Sequence, residues 1–211
     1  YPEHDGTVEW RVSIAGFLQR RYGIDLDHDV QSMEMNGTRE GLFNAVVALC
    51  TTGSKVLIPN PFYQVYTVAA MAVGAQSVYL PAHAQTGFLP DLDALTPAEL
   101  KETSAFFLCS PSNPQGAVAS AEYWASLITL AETYDFKICA DECYSEIYRS
   151  APPPGALEVA ARMGADSERV VVFHSLSKRS NLPGLRSGFV ASGRKNIARI
   201  KQLRAYAGCP I

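Results

Sequence analysis

The chain has 211 residues, 47% of them hydrophobic and 18% charged, and a formal net charge of -3. That is ordinary globular composition, long enough to bury one large core, and we expect one main domain. The balance provides no long-range field for nucleic acid or an anionic membrane surface, and no apolar run reaches the ~18 residues of a membrane span.

Helical and strand patterns alternate along the chain. Val8 to Tyr22 reads as a helix with Ile14, Phe17 and Leu18 on one face, and Thr38 to Leu49 as a second. Lys55 to Asn60 is a short buried strand, Phe62 to Val73 a helix, and Gln76 to Leu80 a strand. Leu92 to Leu100 reads as a short helix with Asp91 as its cap. Ala105 to Ser110 is a strand entering a proline-rich turn, and Ser120 caps a helix to Tyr134. Phe136 to Asp141 is a strand, and the segment APPPGALE leads to a helix near Val159. Strands follow at Arg169 to Ser175 and Ser187 to Ser192, then a helix from Arg194 to Ala207. This alternation predicts an α/β fold of three α/β/α layers around a mostly parallel central sheet. No helix separates the last two strands, so they are antiparallel neighbours or lie apart in the sheet.

Five cysteines at 50, 109, 139, 143 and 209 form no C-x-x-C pair, and the four histidines are scattered. We expect reduced thiols, a cytoplasmic setting and no metal site. The chain opens YPEHDGTVEW, polar and without a signal peptide or initiating methionine, and ends GCPI straight after a helical pattern. A fragment of a longer protein is therefore expected.

Ligands in open α/β sheets sit at the carboxyl ends of strands. Those ends carry Asn60, Ser110 with Asn113, Asp141 with Tyr144, and Ser175 with Lys178. Each has an ordinary reading when taken alone. Asp141 is a cap or turn residue, or a buried carboxylate that needs a cation. Lys178 is an exposed loop lysine. Arg186 is a surface arginine, or a bidentate phosphate ligand. Asn113 precedes a proline in a turn. Asn36, Gly37 and Thr38 open a helix whose backbone N–H groups can hold an anion. Tyr63 packs, or stacks on a planar ligand.

Their joint order is more specific. NGTREGL, NPFYQVY, SPSNPQGA, ADECYSEIY and SLSKRSNLPGLRSGF occur in that sequence. This resembles the fold-type I, pyridoxal-phosphate-dependent aminotransferases of class I/II, over essentially the whole chain, and the resemblance implies that residues 1–211 are the cofactor-binding large domain, without the family's N-terminal segment and C-terminal small domain. The resemblance implies pyridoxal 5'-phosphate as cofactor and small amino and keto acids as substrates. It implies that Lys178 is the Schiff-base lysine and proton carrier, and that Asp141 pairs with the pyridine nitrogen. Tyr144 and Asn113 would bond the cofactor's 3' oxygen, and Tyr63 would stack on its ring. Gly37, Thr38, Ser175, Ser177 and Arg186 would hold the phosphate, with Arg39 adding a backbone N–H. Tyr1, in Y-P-x-x-x-G, resembles the tyrosine that reaches a neighbouring subunit's phosphate, which implies a homodimer. No role follows for Arg179.

The family often has N-P-T-G where this chain has Asn113-Pro114-Gln115-Gly116. The wording is most similar to the N-succinyldiaminopimelate aminotransferases of lysine biosynthesis, which implies glutamate as donor and N-succinyl-2-amino-6-ketopimelate as acceptor. Other outcomes compatible with the fold are a β-lyase or decarboxylase on the same cofactor, or the effector domain of a transcription regulator. A dinucleotide oxidoreductase is disfavoured, because no G-x-G-x-x-G occurs.

Overall fold

The computed structural model describes residues 5–207. Seven strands form one sheet: β1 (Ser32–Met35), β2 (Lys55–Asn60), β3 (Gln76–Pro81), β4 (Thr103–Cys109), β5 (Lys137–Asp141), β6 (Val170–Ser175) and β7 (Gly188–Ala191). Their spatial order is β1-β7-β6-β5-β4-β2-β3. β3, β2, β4, β5 and β6 run parallel; β7 is antiparallel to both β6 and β1. The last two sequence-assigned strands are thus neighbours. β1 escaped the sequence reading.

The helices are α1 (Val8–Tyr22), α2 (Thr38–Leu49), α3 (Val65–Ala72), α4 (Pro97–Lys101), α5 (Ala121–Tyr134), α6 (Ala156–Met163), α7 (Leu176–Arg179) and α8 (Arg194–Ala207). One core packs α1, α5 and α6 on the sheet through Ile14, Phe17, Trp124, Leu127 and Val159. The other packs α2, α3 and α8 on the opposite face through Leu42, Val46, Tyr66, Ile197 and Ile200. These are the three layers expected of alternating strands and helices. Strand residues alternate between the two cores: Ile138 and Ala140 face the first, Cys139 the second. That period carries Asp141, two residues past Cys139, onto the α2/α3 side.

The caps mostly follow the local chemistry. The Ser120 hydroxyl accepts from Tyr123 N at 3.2 Å, as predicted. Asp91 does not cap a helix: its carboxylate accepts from Asp93 N, and α4 begins only at Pro97. Thr96 and Glu99 form a capping box there, a pairing that outcompetes the earlier start. The helix expected from Phe62 begins at Val65. Cys50, Cys109, Cys139 and Cys143 are free thiols. Among the described residues, no helix is long and apolar enough to cross a membrane.

Candidate active site

A cavity of about 340 Å³ opens at the carboxyl edge of the sheet. That lies within the size range of small-molecule sites. Its lining includes Thr38, Arg39, Tyr63, Asn113, Asp141, Tyr144, Ser175, Ser177, Lys178 and Arg186. Gly37 stands just behind, at the N-cap of α2. Tyr1 lies outside the described residues. Pro59 of β2 and Pro61 just beyond its end line the wall, whereas Asn60 does not.

The floor is Asp141, 3% exposed at the end of β5. Its Oδ2 accepts from Tyr66 Oη at 3.0 Å and its Oδ1 from Cys143 N at 3.3 Å. Burial pushes its carboxyl above the usual carboxylate range, against the pull of those donors. No lysine or arginine pairs with it among the described residues. Tyr66 is itself buried and stacks on Phe107, with ring centroids 4.2 Å apart. Sequence reasoning passed over Tyr66 because it sits at core-facing helical spacing. Cys143 also lines the cavity, and burial, reinforced by Asp141, drives its thiol far upward.

The rim on the β6 side comes from one turn of helix. The Ser175 hydroxyl accepts from Ser177 N at 3.1 Å and caps α7. It also donates to Ser177 Oγ at 2.9 Å. This turn presents Lys178 as an exposed side chain, with Nζ 5.9 Å from the Tyr144 ring centroid. Burial first, then the neighbouring thiols and Asp141, pushes the Tyr144 phenol up to about 12. Arg179, one residue on, faces away. Its guanidinium lies over the Phe17 ring, 3.9 Å from the centroid, and so joins α7 to α1.

Arg186 follows the Pro183–Leu185 turn with φ 56, a left-handed value that a non-glycine residue adopts only under constraint. Two bonds supply that constraint. Nη1 donates to Pro183 O at 2.9 Å and Nη2 to Asn36 O at 3.1 Å. The second bond brings the arginine against the start of α2. A Cβ built on Gly37, where φ is 79, would lie 2.6 Å from Arg186 Nη2. Only glycine leaves room there for the guanidinium beside the helix N-terminus. Arg39 Nε donates to Tyr63 Oη at 2.7 Å, which holds both residues at the cavity mouth.

The site therefore combines one buried carboxylate, one exposed amine, and a guanidinium beside hydroxyls and a helix N-terminus. Nine of the residues expected from the sequence are joined here by Arg39, whose side chain is bonded to Tyr63 of the same wall. Tyr66, Cys109, Cys143 and Gln115 are additional wall residues.

Comparison with known proteins places this constellation. The family model for aminotransferase class I and II matches residues 1–208. The LL-diaminopimelate aminotransferase of Syntrophobacter fumaroxidans is 35% identical, over 97% of this chain and 52% of its own length. A crystal structure of an aminotransferase from Neisseria meningitidis superposes with a TM-score of 0.93 at 38% identity, covering 99% of this chain and 54% of that one. A probable N-succinyldiaminopimelate aminotransferase from Thermus thermophilus superposes at 0.88 with 28% identity, covering 94% of this chain and 52% of that one. The chain spans about half the length of the relatives it matches. With its sheet order, its carboxyl-edge cavity and these matches along nearly every residue, the chain belongs to the aminotransferase class I and II family.

Proposed function

We propose that this chain is the cofactor-binding part of a transaminase that uses pyridoxal 5'-phosphate, the cofactor of its family. The carrying observation is Asp141, a carboxylate buried on the floor of a small-molecule cavity with no lysine or arginine paired to it among the described residues. A buried carboxylate is costly unless it meets a positive charge, and a protonated pyridine nitrogen has that charge. The rest of the donor set fits the same group. Gly37 lets the Arg186 guanidinium lie against the α2 N-terminus, where an anion would meet both, and Ser175 and Ser177 line the same cavity.

When bound, the cofactor supplies an electron-poor ring that accepts the electron pair released at the substrate's α-carbon. The remaining work belongs to the chain. Arg186, Ser175, Ser177 and the Gly37 and Thr38 N–H groups bind the phosphate, and the Arg39 N–H adds to them. Asp141 holds the proton on the ring nitrogen, and Tyr66 and Cys143 N keep its carboxylate oriented. Asn113 and Tyr144, which line the cavity, would bond the cofactor's 3' oxygen, and Tyr63 would stack against the ring. Lys178 would hold the cofactor through its side-chain amine, and that amine would carry a proton to and from the substrate's α-carbon.

The reading extends to a homodimer in the cytoplasm acting on the diaminopimelate skeleton in lysine biosynthesis. In this reading glutamate is the donor and the N-succinyl keto acid the acceptor. The named relatives support the skeleton, one with the succinyl group and another without it. The test is to add pyridoxal 5'-phosphate to the wild type and to Lys178→Ala. A near-visible absorption band and, after borohydride reduction, a mass increase on the Lys178 peptide are expected in the wild type alone. Equal labelling of both proteins refutes the assignment. Loss of the band on adding LL-diaminopimelate but not its N-succinyl form would move the substrate to the free diamine.

A further inference from the structure

We infer that the ion pair of Glu40 and Arg204 is the positioning device of the phosphate cradle; this rests on the cofactor reading above. α8 turns Ile197 and Ile200 into the core, and Arg204 occupies the next position on that stripe, seven residues past Ile197. An arginine stands where the pattern calls for an apolar residue. Its side chain is 1% exposed, and its Nε donates to Glu40 Oε1 at 2.8 Å. The other carboxylate oxygen, Oε2, accepts from Asn36 N at 2.6 Å. Asn44 Nδ2 approaches Oε1 at 3.5 Å. The carbonyl of that same Asn36 accepts from Arg186 Nη2 at 3.1 Å.

These bonds form one path, from Arg204 through Glu40 to both sides of Asn36 and on to Arg186. A buried ion pair is seldom needed for stability, because apolar side chains of similar volume serve as well or better. It does fix geometry, and here the fixed element is the residue before the Gly37 N-cap, where Arg186 is tethered. Its placement has an electrostatic reason too. Glu40 lies in the first turn of α2, so its charge would oppose an incoming phosphate. Arg204 offsets that charge, so Glu40 can hold the Asn36 backbone without repelling the anion. Glu40 and Arg204 act through Asn36 and Arg186 and touch no reacting atom.

The experiment separates a phosphate effect from a general one. Dissociation constants for pyridoxal 5'-phosphate and for pyridoxal, which lacks the phosphate, are measured on the 211-residue chain and on Arg204→Met. Methionine suits the apolar stripe and leaves Glu40 unneutralised. The phosphorylated ligand is expected to lose about tenfold in affinity, the scale of one charge-assisted hydrogen bond, while pyridoxal stays within about twofold. An equal loss for both ligands, or no loss, overturns the inference. Should Arg204→Met not fold, Arg204→Lys decides. It keeps charge but not the Nε contact, and a preference for the phosphorylated ligand reduced about threefold is expected. An unreduced preference overturns it. If the wild type itself binds neither ligand, the cofactor reading fails and takes this inference with it. If only the variants are unaffected, the cofactor reading stands and the inference falls.

Discussion

Asp141 ends β5, a strand buried for its last four residues, and its two hydrogen-bond donors leave its negative charge only partly compensated. The sign of its contribution follows from linkage. Its folded-state pKa is raised above the ordinary 3.8, so the folded chain binds a proton that the unfolded chain has released. Stability from this group is present in acid and is lost as pH climbs from about 4 through the raised value. In the absence of cofactor, wild type should therefore lose stability relative to Asp141→Asn as pH rises toward 7. The gap is read as a difference in unfolding midpoint, on the order of 2–4 °C for each kcal/mol at this chain length. A gap constant with pH would mean that Asp141 is compensated by a cation in the folded chain. Asp141 and Lys178 each read alone as an ordinary cap and loop residue; the joint order of the motifs singled them out, and the structure puts both on one cavity. Tyr66 was not singled out, because a buried phenol at core-facing helical spacing looks like packing until its hydroxyl has a partner. Arg186 drew a role from the sequence, whereas Arg179 drew none. One turn of helix sends Arg179 onto Phe17, and no local signal announces that turn.

The long amphipathic helices and the parallel strands were readable from period alone. The short elements around β7 were not. β1 has four residues, Ser-Met-Glu-Met, whose alternation is too short to register as a strand, and all four are buried, the polar ones included. α7 is a single turn set by a serine cap. Both are held by the tertiary structure, and the contact that makes this visible is at Gly188. Its strand position pairs with Ser175 on one side and Met35 on the other. A Cβ there would lie 2.4 Å from the His174 carbonyl oxygen and 3.3 Å from Gly37 Cα. Those atoms are backbone and cannot swing aside, so β7, β6 and the start of α2 would have to separate. Gly188→Ala is expected to destabilise the chain by about 3 kcal/mol, roughly 6–12 °C in midpoint. Gly184→Ala, where nothing lies within 4 Å of the added carbon, should change little. Equal midpoints for the two variants in thermal unfolding would show that the β6–β7 edge can relax.

Across the whole molecule, the cavity is walled by segments from Thr38 to Arg186, drawn from α2, the β2–α3 turn, the ends of β4 and β5, and α7. Three-layer order and the carboxyl-edge location followed from the alternation of elements. The antiparallel insertion of β7 between β6 and β1 did not, because it depends on a strand too short to be read. That arrangement brings Gly37, after β1, against both Arg186 and the first residue of β7. A ligand in the cavity thus ties together elements distant in sequence, and its binding energy should appear as global rather than local stability. At a cofactor concentration a hundred times its dissociation constant, linkage contributes about 2.7 kcal/mol. For a chain of this length that is a midpoint increase of roughly 5–11 °C. Lys178→Ala should retain the part due to phosphate and ring contacts and lose the covalent part. Thermal unfolding with and without pyridoxal 5'-phosphate, followed by far-ultraviolet circular dichroism, reads this directly. Hydrogen exchange supplies the spatial check: protection should rise together in α2, β5, β6 and α7. A rise confined to α7 would mean that the ligand grips only the Lys178 turn, and that the cavity does not act as one site.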